Sequence, residues 1–354
     1  MLTKSRSNWL AWTAALAFGL SACSDSTGPT GPFEPTEDAL AVSTVENDLA
    51  ANPALASLSL ILGAPGGSFA YAPLDFTRAA TDPSATEEIR TSLSAWATQS
   101  SFALAEVIPP ELRGTVYVYN PDTGAYEEDP GQTGPVNGVR FILYAVDPIT
   151  FEPVLPLNPI GHVDLLDTST ATTDRLRVLV VIGTDTYVDY TLTVSATATA
   201  GVVDIVGYVT DGTYRVNFDM RVEFSFDGTD FSIDIVLDAV TRGVRLHLSI
   251  SETYDADTGE LEQIVAVYEI RTPRGTVRFS VTITDASISG DIRHNGRVVV
   301  TISGTESSVT FTRADDGEPL TPEEVAALED LFDSPDLLII LLEFLFAPLF
   351  VLGV

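Results

Sequence analysis

The sequence has 354 residues, 18 of them Lys or Arg and 50 of them Asp or Glu, which gives a net charge of −32 at neutral pH. This excess of negative charge opposes binding to nucleic acid, whose phosphates need cations, and opposes adsorption to anionic lipid surfaces. Hydrophobic residues make up 45% of the chain, which excludes a disordered protein and allows a large core.

The first segment of the chain has the order of an export signal. Lys4 and Arg6 precede an apolar run from Trp9 to Leu20, and this run is too short to span a bilayer. The run ends in Leu20-Ser21-Ala22-Cys23, which resembles the lipobox of bacterial lipoproteins. The resemblance implies a signal peptide over 1–22, lipidation of Cys23 and attachment of the mature chain to a membrane through that residue. Ser24 follows, and by the sorting rule of enterobacterial lipoproteins it implies the outer membrane.

Cys23 is the only cysteine, so no disulfide forms within one chain even in an oxidising compartment. The alternative is an ordinary cleaved signal that carries a chance cysteine. Residues 1–22 hold two basic residues and no acid, so the mature chain has 16 basic residues, all arginine, against 50 acids. We interpret this negative charge as a solvated acidic surface. The alternative is that the charge serves to accumulate cations or to bind basic partners.

Three regions follow the signal. Residues 23–38 are rich in Pro, Gly, Ser and Thr and are typical of a flexible tether. Residues 39–354 are predicted to form a single β-rich domain, whose first part, 39–113, is helical or irregular. In that part the pattern is interrupted at Pro53, and residues 84–105 predict a helix capped by Ser84.

Residues 114–313 predict antiparallel strands separated by turns. From Tyr214 to Phe226 apolar and polar residues alternate without a break, Asp227–Asp230 turns the chain, and the alternation resumes at Phe231. Asn295-Gly296 is a strong hairpin signal. The fold class predicted is mainly β, a large curved antiparallel meander or half-open barrel with one apolar and one polar face.

Helices at both ends of the domain are predicted to cover the apolar face. The C-terminal helical region is 321–354. Its start is favourable for a helix, with Thr321 as the N-cap and Pro322 at the first helical position. Residues 337–354 either pack on the sheet or enter the membrane, and Glu343 and Pro348 favour packing. This layout resembles the half-open barrels of periplasmic lipoprotein carriers, a similarity of layout that no motif supports.

The sequence offers little for catalysis. Its three histidines, His162, His247 and His294, lie in strands or turns, and no catalytic or phosphate-binding motif accompanies them. We therefore predict no enzyme, no cofactor and no metal site.

Asp255–Glu260 superficially resembles a calcium loop, but its glycine comes one position early and a hairpin turn explains it better. The polar face predicts cross-strand ion pairs, with an arginine-lined anion groove as the alternative; its charged residues include Arg215, Arg221, Arg245, Arg278, Asp219, Glu223, Asp234 and Asp238.

Function is predicted to be binding. In the first hypothesis an apolar small molecule lies on the concave sheet face, lined by Phe218, Met220, Phe224, Phe231 and Ile235. In the second, the helices fill that face completely and the protein is a structural or protein-interaction scaffold of the cell envelope. A hydrolase with a site built in the loops is a weaker third. The first two hypotheses differ in whether a cavity lies beneath the sheet.

Overall fold

The computed structural model describes residues 35–62, 107–147, 152–170, 173–305 and 308–333. The signal at 1–22, Cys23, most of the predicted tether, the helix predicted at 84–105 and the tail at 337–354 lie outside these described residues. The described chain is mainly β, as predicted.

In the described part of the chain, three helices and one 3-10 turn accompany the sheet: α1 (Pro35–Ala50), α2 (Pro53–Leu62), the 3-10 turn (Pro110–Leu112) and α3 (Pro322–Asp333). The first eight strands are β1 (Val116–Asn120), β2 (Ala125–Glu128), β3 (Gly138–Tyr144), β4 (Pro159–Asp167), β5 (Asp174–Ile182), β6 (Asp185–Ala196), β7 (Ala200–Thr210) and β8 (Arg215–Ser225). The others are β9 (Asp230–Ala239), β10 (Val244–Tyr254), β11 (Leu261–Thr272), β12 (Gly275–Thr284), β13 (Ile288–His294), β14 (Arg297–Thr305) and β15 (Ser308–Arg313).

All fifteen strands belong to one curved, open sheet, with β15 at one edge and β2 at the other. From β3 to β15 each strand pairs antiparallel with the next one along the chain, which confirms the predicted meander. The departure is β1, which lies between β2 and β3 and runs parallel to β3. A parallel neighbour needs a longer connection than a hairpin, and residues 121–137, which include β2, supply it.

The alternation of apolar and polar residues decides which face of each strand is buried. In β8 every second side chain is buried and its neighbours point outward, and β9 continues the pattern with Phe231 opposite Phe224. The turns have the backbone that their residues favour: Asn295 and Gly296 both have positive φ, 51° and 81°, as a two-residue hairpin requires. The strand, turn and hairpin predictions for this region are confirmed.

Helix α1 begins at Pro35, so residues 35–38, which the sequence pattern assigned to the tether, form its first turn. Proline fits the first helical position, and Glu37 and Asp38 stabilise the positive end of the helix dipole. The predicted interruption at Pro53 is confirmed, and Asn52 caps α2 by accepting a hydrogen bond from the Ala54 N–H at 2.9 Å.

α1 crosses the ends of successive hairpins on the concave side of the sheet. Asp38 accepts a hydrogen bond from Thr272 beside the β11–β12 turn, and Asp48 pairs with Arg242 in the β9–β10 turn. Asn52 then donates to the Thr210 carbonyl at the β7–β8 turn. Four strand spacings of about 4.8 Å total about 19 Å, and the 12-residue rise from 38 to the end of α1 at 50 is about 18 Å. The helix and the row of turns therefore match in length.

The C-terminal helix α3 is fixed at its start by a capping box. The Thr321 hydroxyl accepts from the Glu324 N–H at 3.3 Å, and the Glu324 carboxylate accepts from the Thr321 N–H at 2.8 Å. Arg313, the last residue of β15, also donates to the Glu324 carboxylate at 2.8 Å. These contacts join α3 to the edge of the sheet, and its buried Leu328 and Leu331 join the core beside α1.

Candidate ligand face and helix seam

The five side chains predicted to line an apolar ligand site lie together on the concave face. Across β8 and β9, Met220 lies opposite Ile235 and Phe224 opposite Phe231, and Phe218 precedes them on β8. Their exposed fractions are 3% for Phe218, 1% for Met220, Phe224 and Phe231, and 4% for Ile235. All five belong to one continuous core with residues of α1 and α2, so the chain itself covers this face.

Two glycines show how closely the face is packed. A Cβ placed on Gly201 would lie 2.4 Å from the ring of Phe224, which covers that glycine. Gly207 lies between Tyr190 and Phe218 on the neighbouring strands, and the two rings are 5.9 Å apart over it. The missing side chains are replaced by aromatic rings from the adjacent strands, so the rings occupy space that a concave ligand wall would leave open.

A narrow crevice lies at the seam between α1 and the hairpin ends, lined by residues that include Asp48, Asn52, Tyr214 and Arg242. Arg242 donates to the Asp48 carboxylate at 2.8 and 3.0 Å, and its guanidinium lies 4.0 Å from the centroid of the Tyr214 ring. The cavity volume is about 10 Å³, enough for one water molecule and far below a ligand site. The crevice is a polar clasp that holds α1 to the sheet.

The concave side also contains buried acids that the sequence did not reveal. Asp38, Glu46 and Glu252 are buried, and Glu252 occupies a position where the alternation of β10 predicts an apolar residue. Asp38 accepts a hydrogen bond from Thr272 at 2.7 Å, and Glu252 accepts one from the Tyr254 hydroxyl. The period-2 pattern breaks at Glu252, and this break was the available signal.

The polar face carries ion pairs of the kind predicted. Arg221 contacts Asp204 across β7–β8 and Glu223 on its own strand, each at 2.9 Å, and these hydrogen bonds raise the pKa of Arg221. Arg140 makes a two-pronged contact with Asp164 on β4 at 2.6 and 2.7 Å. Such pairs stabilise the register of neighbouring strands but contribute little each.

The three histidines lie apart from one another, on β4, β10 and β13. His162 lies 3.7 Å from Asp164 and His247 lies 2.8 Å from Asp234, so both have carboxylate neighbours. His294 contacts Asn295 in its hairpin turn, and burial lowers the pKa of both His162 and His294. Within the described ranges, no group of three His, Cys, Asp or Glu side chains is placed to hold a metal ion.

The acidic loop at Asp255–Glu260 is a hairpin turn between β10 and β11, as interpreted from the sequence. The Asp255 carboxylate accepts hydrogen bonds from the backbone N–H groups of Asp257 and Thr258 and from the Thr258 hydroxyl, which lower the pKa of Asp255. Gly259 has a φ of +69°, which closes the turn. The carboxylate is therefore satisfied by its own loop.

Comparison with known proteins gives no match to a family model, to a curated protein or to a solved structure. None of the helices in the described part of the chain is both long and apolar enough to cross a membrane.

Proposed function

We propose that this protein is a lipid-anchored scaffold of the cell envelope, held in the outer membrane through Cys23. It acts without catalysis, by binding other envelope components through its outer surface. Its concave apolar face serves as its own core. The proposal combines the lipobox-like signal with the packing of the folded domain.

The burial of the predicted ligand face is the observation that carries this proposal. Phe218, Met220, Phe224, Phe231 and Ile235 are each at most 4% exposed, and the neighbouring glycines are covered by aromatic rings. A ligand site of useful size needs a cavity of several hundred Å³. A face already filled by the chain leaves the polar outer face, the turns and the helices as the surfaces that meet a partner.

Carriage of an apolar molecule is the second candidate, and the way α1 is attached favours it. The contacts with the hairpin ends are polar at Asp38 and Asp48 of α1 and at Asn52 just after it, while Val42, Val45 and Leu49 of α1 cover the core. A ligand that displaced the helix would gain the apolar face and would have to replace these contacts. In this candidate the structure described is the closed, unloaded state.

Native mass spectrometry of the mature protein purified from its host separates the two candidates. The scaffold proposal expects acyl chains on Cys23, no further apolar molecule in fixed stoichiometry, and no uptake of added fatty acid. An apolar molecule present at one copy per chain, and lost on lipid extraction, would instead establish carriage. The control variant is Val206→Ala, which removes an exposed apolar side chain from the outer face of β7 and should leave the spectrum unchanged apart from the substitution.

A further inference from the structure

The arginines of this acidic chain are concentrated in one part of the sheet. Seven of the 16 in the mature chain lie between residues 242 and 297. Four of them point outward from four consecutive strands, Arg245 on β10, Arg271 on β11, Arg278 on β12 and Arg293 on β13, and all four are exposed. We call these four residues the arginine patch.

The register of the strands brings these like charges directly against each other. Arg245 lies opposite Arg271 across β10–β11, and Arg278 lies opposite Arg293 across β12–β13. Directly opposed like charges destabilise a sheet, and this chain has three acids for each base with which to avoid them. Two such pairs on adjacent strands place four positive charges together on the outer face.

The acids near the patch neutralise only part of it. Arg293 contacts Asp291 at 2.8 Å, whereas no ion pair among the described residues includes Arg245, Arg271 or Arg278. Glu269 lies in register between His247 and Arg278, and Asp238 on β9 lies opposite Arg245. Among the described residues, neither carboxylate forms an ion pair with the arginine that it faces. Three guanidinium groups, each able to hold two oxygens of a phosphate at once, are thus directed to solvent.

The start of α1 lies at the same end of the sheet. Glu37 contacts Arg274 at 3.2 Å, and Asp38 accepts a hydrogen bond from Thr272. Thr272 ends β11 and Arg274 lies in the β11–β12 turn, which joins the strands of Arg271 and Arg278. Residues 23–34 connect this point to Cys23, and twelve residues reach at most about 43 Å when fully extended.

We propose that the arginine patch binds the phosphate groups of anionic phospholipids in the bilayer that holds Cys23. This inference rests on the anchoring of Cys23 in the proposed function. The charge of the whole chain repels an anionic surface, but at physiological salt the repulsion is screened beyond about 8 Å. At contact the local charges decide, and a basic surface adds a second attachment to the lipid anchor, which also fixes how the domain faces the membrane.

Arginine footprinting tests the proposal residue by residue. The mature lipidated protein is inserted into vesicles of phosphatidylcholine alone or with about one third phosphatidylglycerol. It is then treated with phenylglyoxal in phosphate-free buffer and analysed by peptide mass spectrometry. We expect Arg245, Arg271 and Arg278 to react about fivefold more slowly on the anionic vesicles, and about 0.5 M NaCl to abolish the difference. Arg175, an exposed arginine on β5, should react equally on both.

A matched pair of variants isolates the patch. In Arg271→Gln/Arg278→Gln, protection of Arg245 should be lost, whereas Arg175→Gln/Arg215→Gln removes the same charge elsewhere on the sheet and should retain it. Thermal unfolding by circular dichroism establishes that both variants remain folded. Equal reactivity on both kinds of vesicle by a protein that floats with them overturns the inference alone. A mature protein that floats with neither overturns the anchoring as well. Equal protection by inorganic phosphate on phosphatidylcholine vesicles would assign the site to a free anion and overturn the membrane proposal.

Discussion

Removal of one aromatic ring distinguishes a filled core from a ligand wall. The Phe224 side chain is 1% exposed and its ring covers Gly201, so Phe224→Ala should reduce the free energy of unfolding by about 3–5 kcal/mol, as for other buried phenylalanines. Phe226, two residues along, is 37% exposed, and the same deletion there should cost about 1–1.5 kcal/mol. The two rings lie 5.9 Å apart, so their mutual contact is lost in both variants and cancels in the comparison.

Urea unfolding followed by far-UV circular dichroism measures both variants against the parent chain, and the slope with urea should stay constant. We expect Phe224→Ala to lose at least about 2 kcal/mol more than Phe226→Ala. Equal losses below about 1.5 kcal/mol for both would mean that Phe224 does not pack in a core. That result would refute the inference that the concave face is a filled core, on which the scaffold proposal rests. It would favour the hypothesis that this face binds an apolar ligand.

Three further changes test the packing, the helix attachment and the pH response. Gly207→Ala places a Cβ 2.2 Å from that of Tyr190, so urea unfolding should show a loss of about 1–3 kcal/mol, and a loss near zero would contradict the packing. Asn52→Ala removes the cap of α2 and the donor to Thr210, and a loss of about 2 kcal/mol is expected in thermal or urea unfolding. Burial lowers the pKa of His162, so this histidine binds a proton more readily in the unfolded chain than in the folded one. Its contribution to stability is therefore lost as pH falls from about 6.5 through the folded pKa. His162→Asn should flatten that part of the plot of unfolding free energy against pH, and an unchanged slope would refute this role of His162.

The antiparallel meander could be predicted from the sequence because strands and hairpin turns are encoded by residues that are close together in the chain. Alternation in β8 and β9 and the Asn295-Gly296 turn require no knowledge of distant residues. The parallel position of β1 was not predicted, because which strand lies beside β3 depends on pairing across a loop. The covering of the apolar face depends on helices distant in sequence, so the choice between core and ligand wall stayed open.

The register of the strand pairs was also not predicted from the sequence. Arg245 and Arg278 were recognised as polar-face residues, but their opposition to Arg271 and Arg293 follows from the hairpin turns that align the strands. A shift of one residue at any of these turns would move the arginines to the concave side. The burial of the acids Asp38 and Glu252 was not predicted for a related reason. Their hydrogen-bond partners are set by the packing of α1 and of the strand ends.

The two faces of the sheet are therefore under different physical constraints. On the concave face, volume matters, because a Cβ added at Gly201 meets the Phe224 ring and one added at Gly207 meets the Cβ and Cα of Tyr190. On the outer face, charge and register matter, because side chains there have room but directly face others across neighbouring strands. A scaffold can change its partner through the outer face without loss of its core. The Arg–Arg pairs lie on this outer face, with Asp238 opposite Arg245 and Glu269 opposite Arg278 on the flanking strands. An anionic partner would compensate the positive charge that these two acids leave.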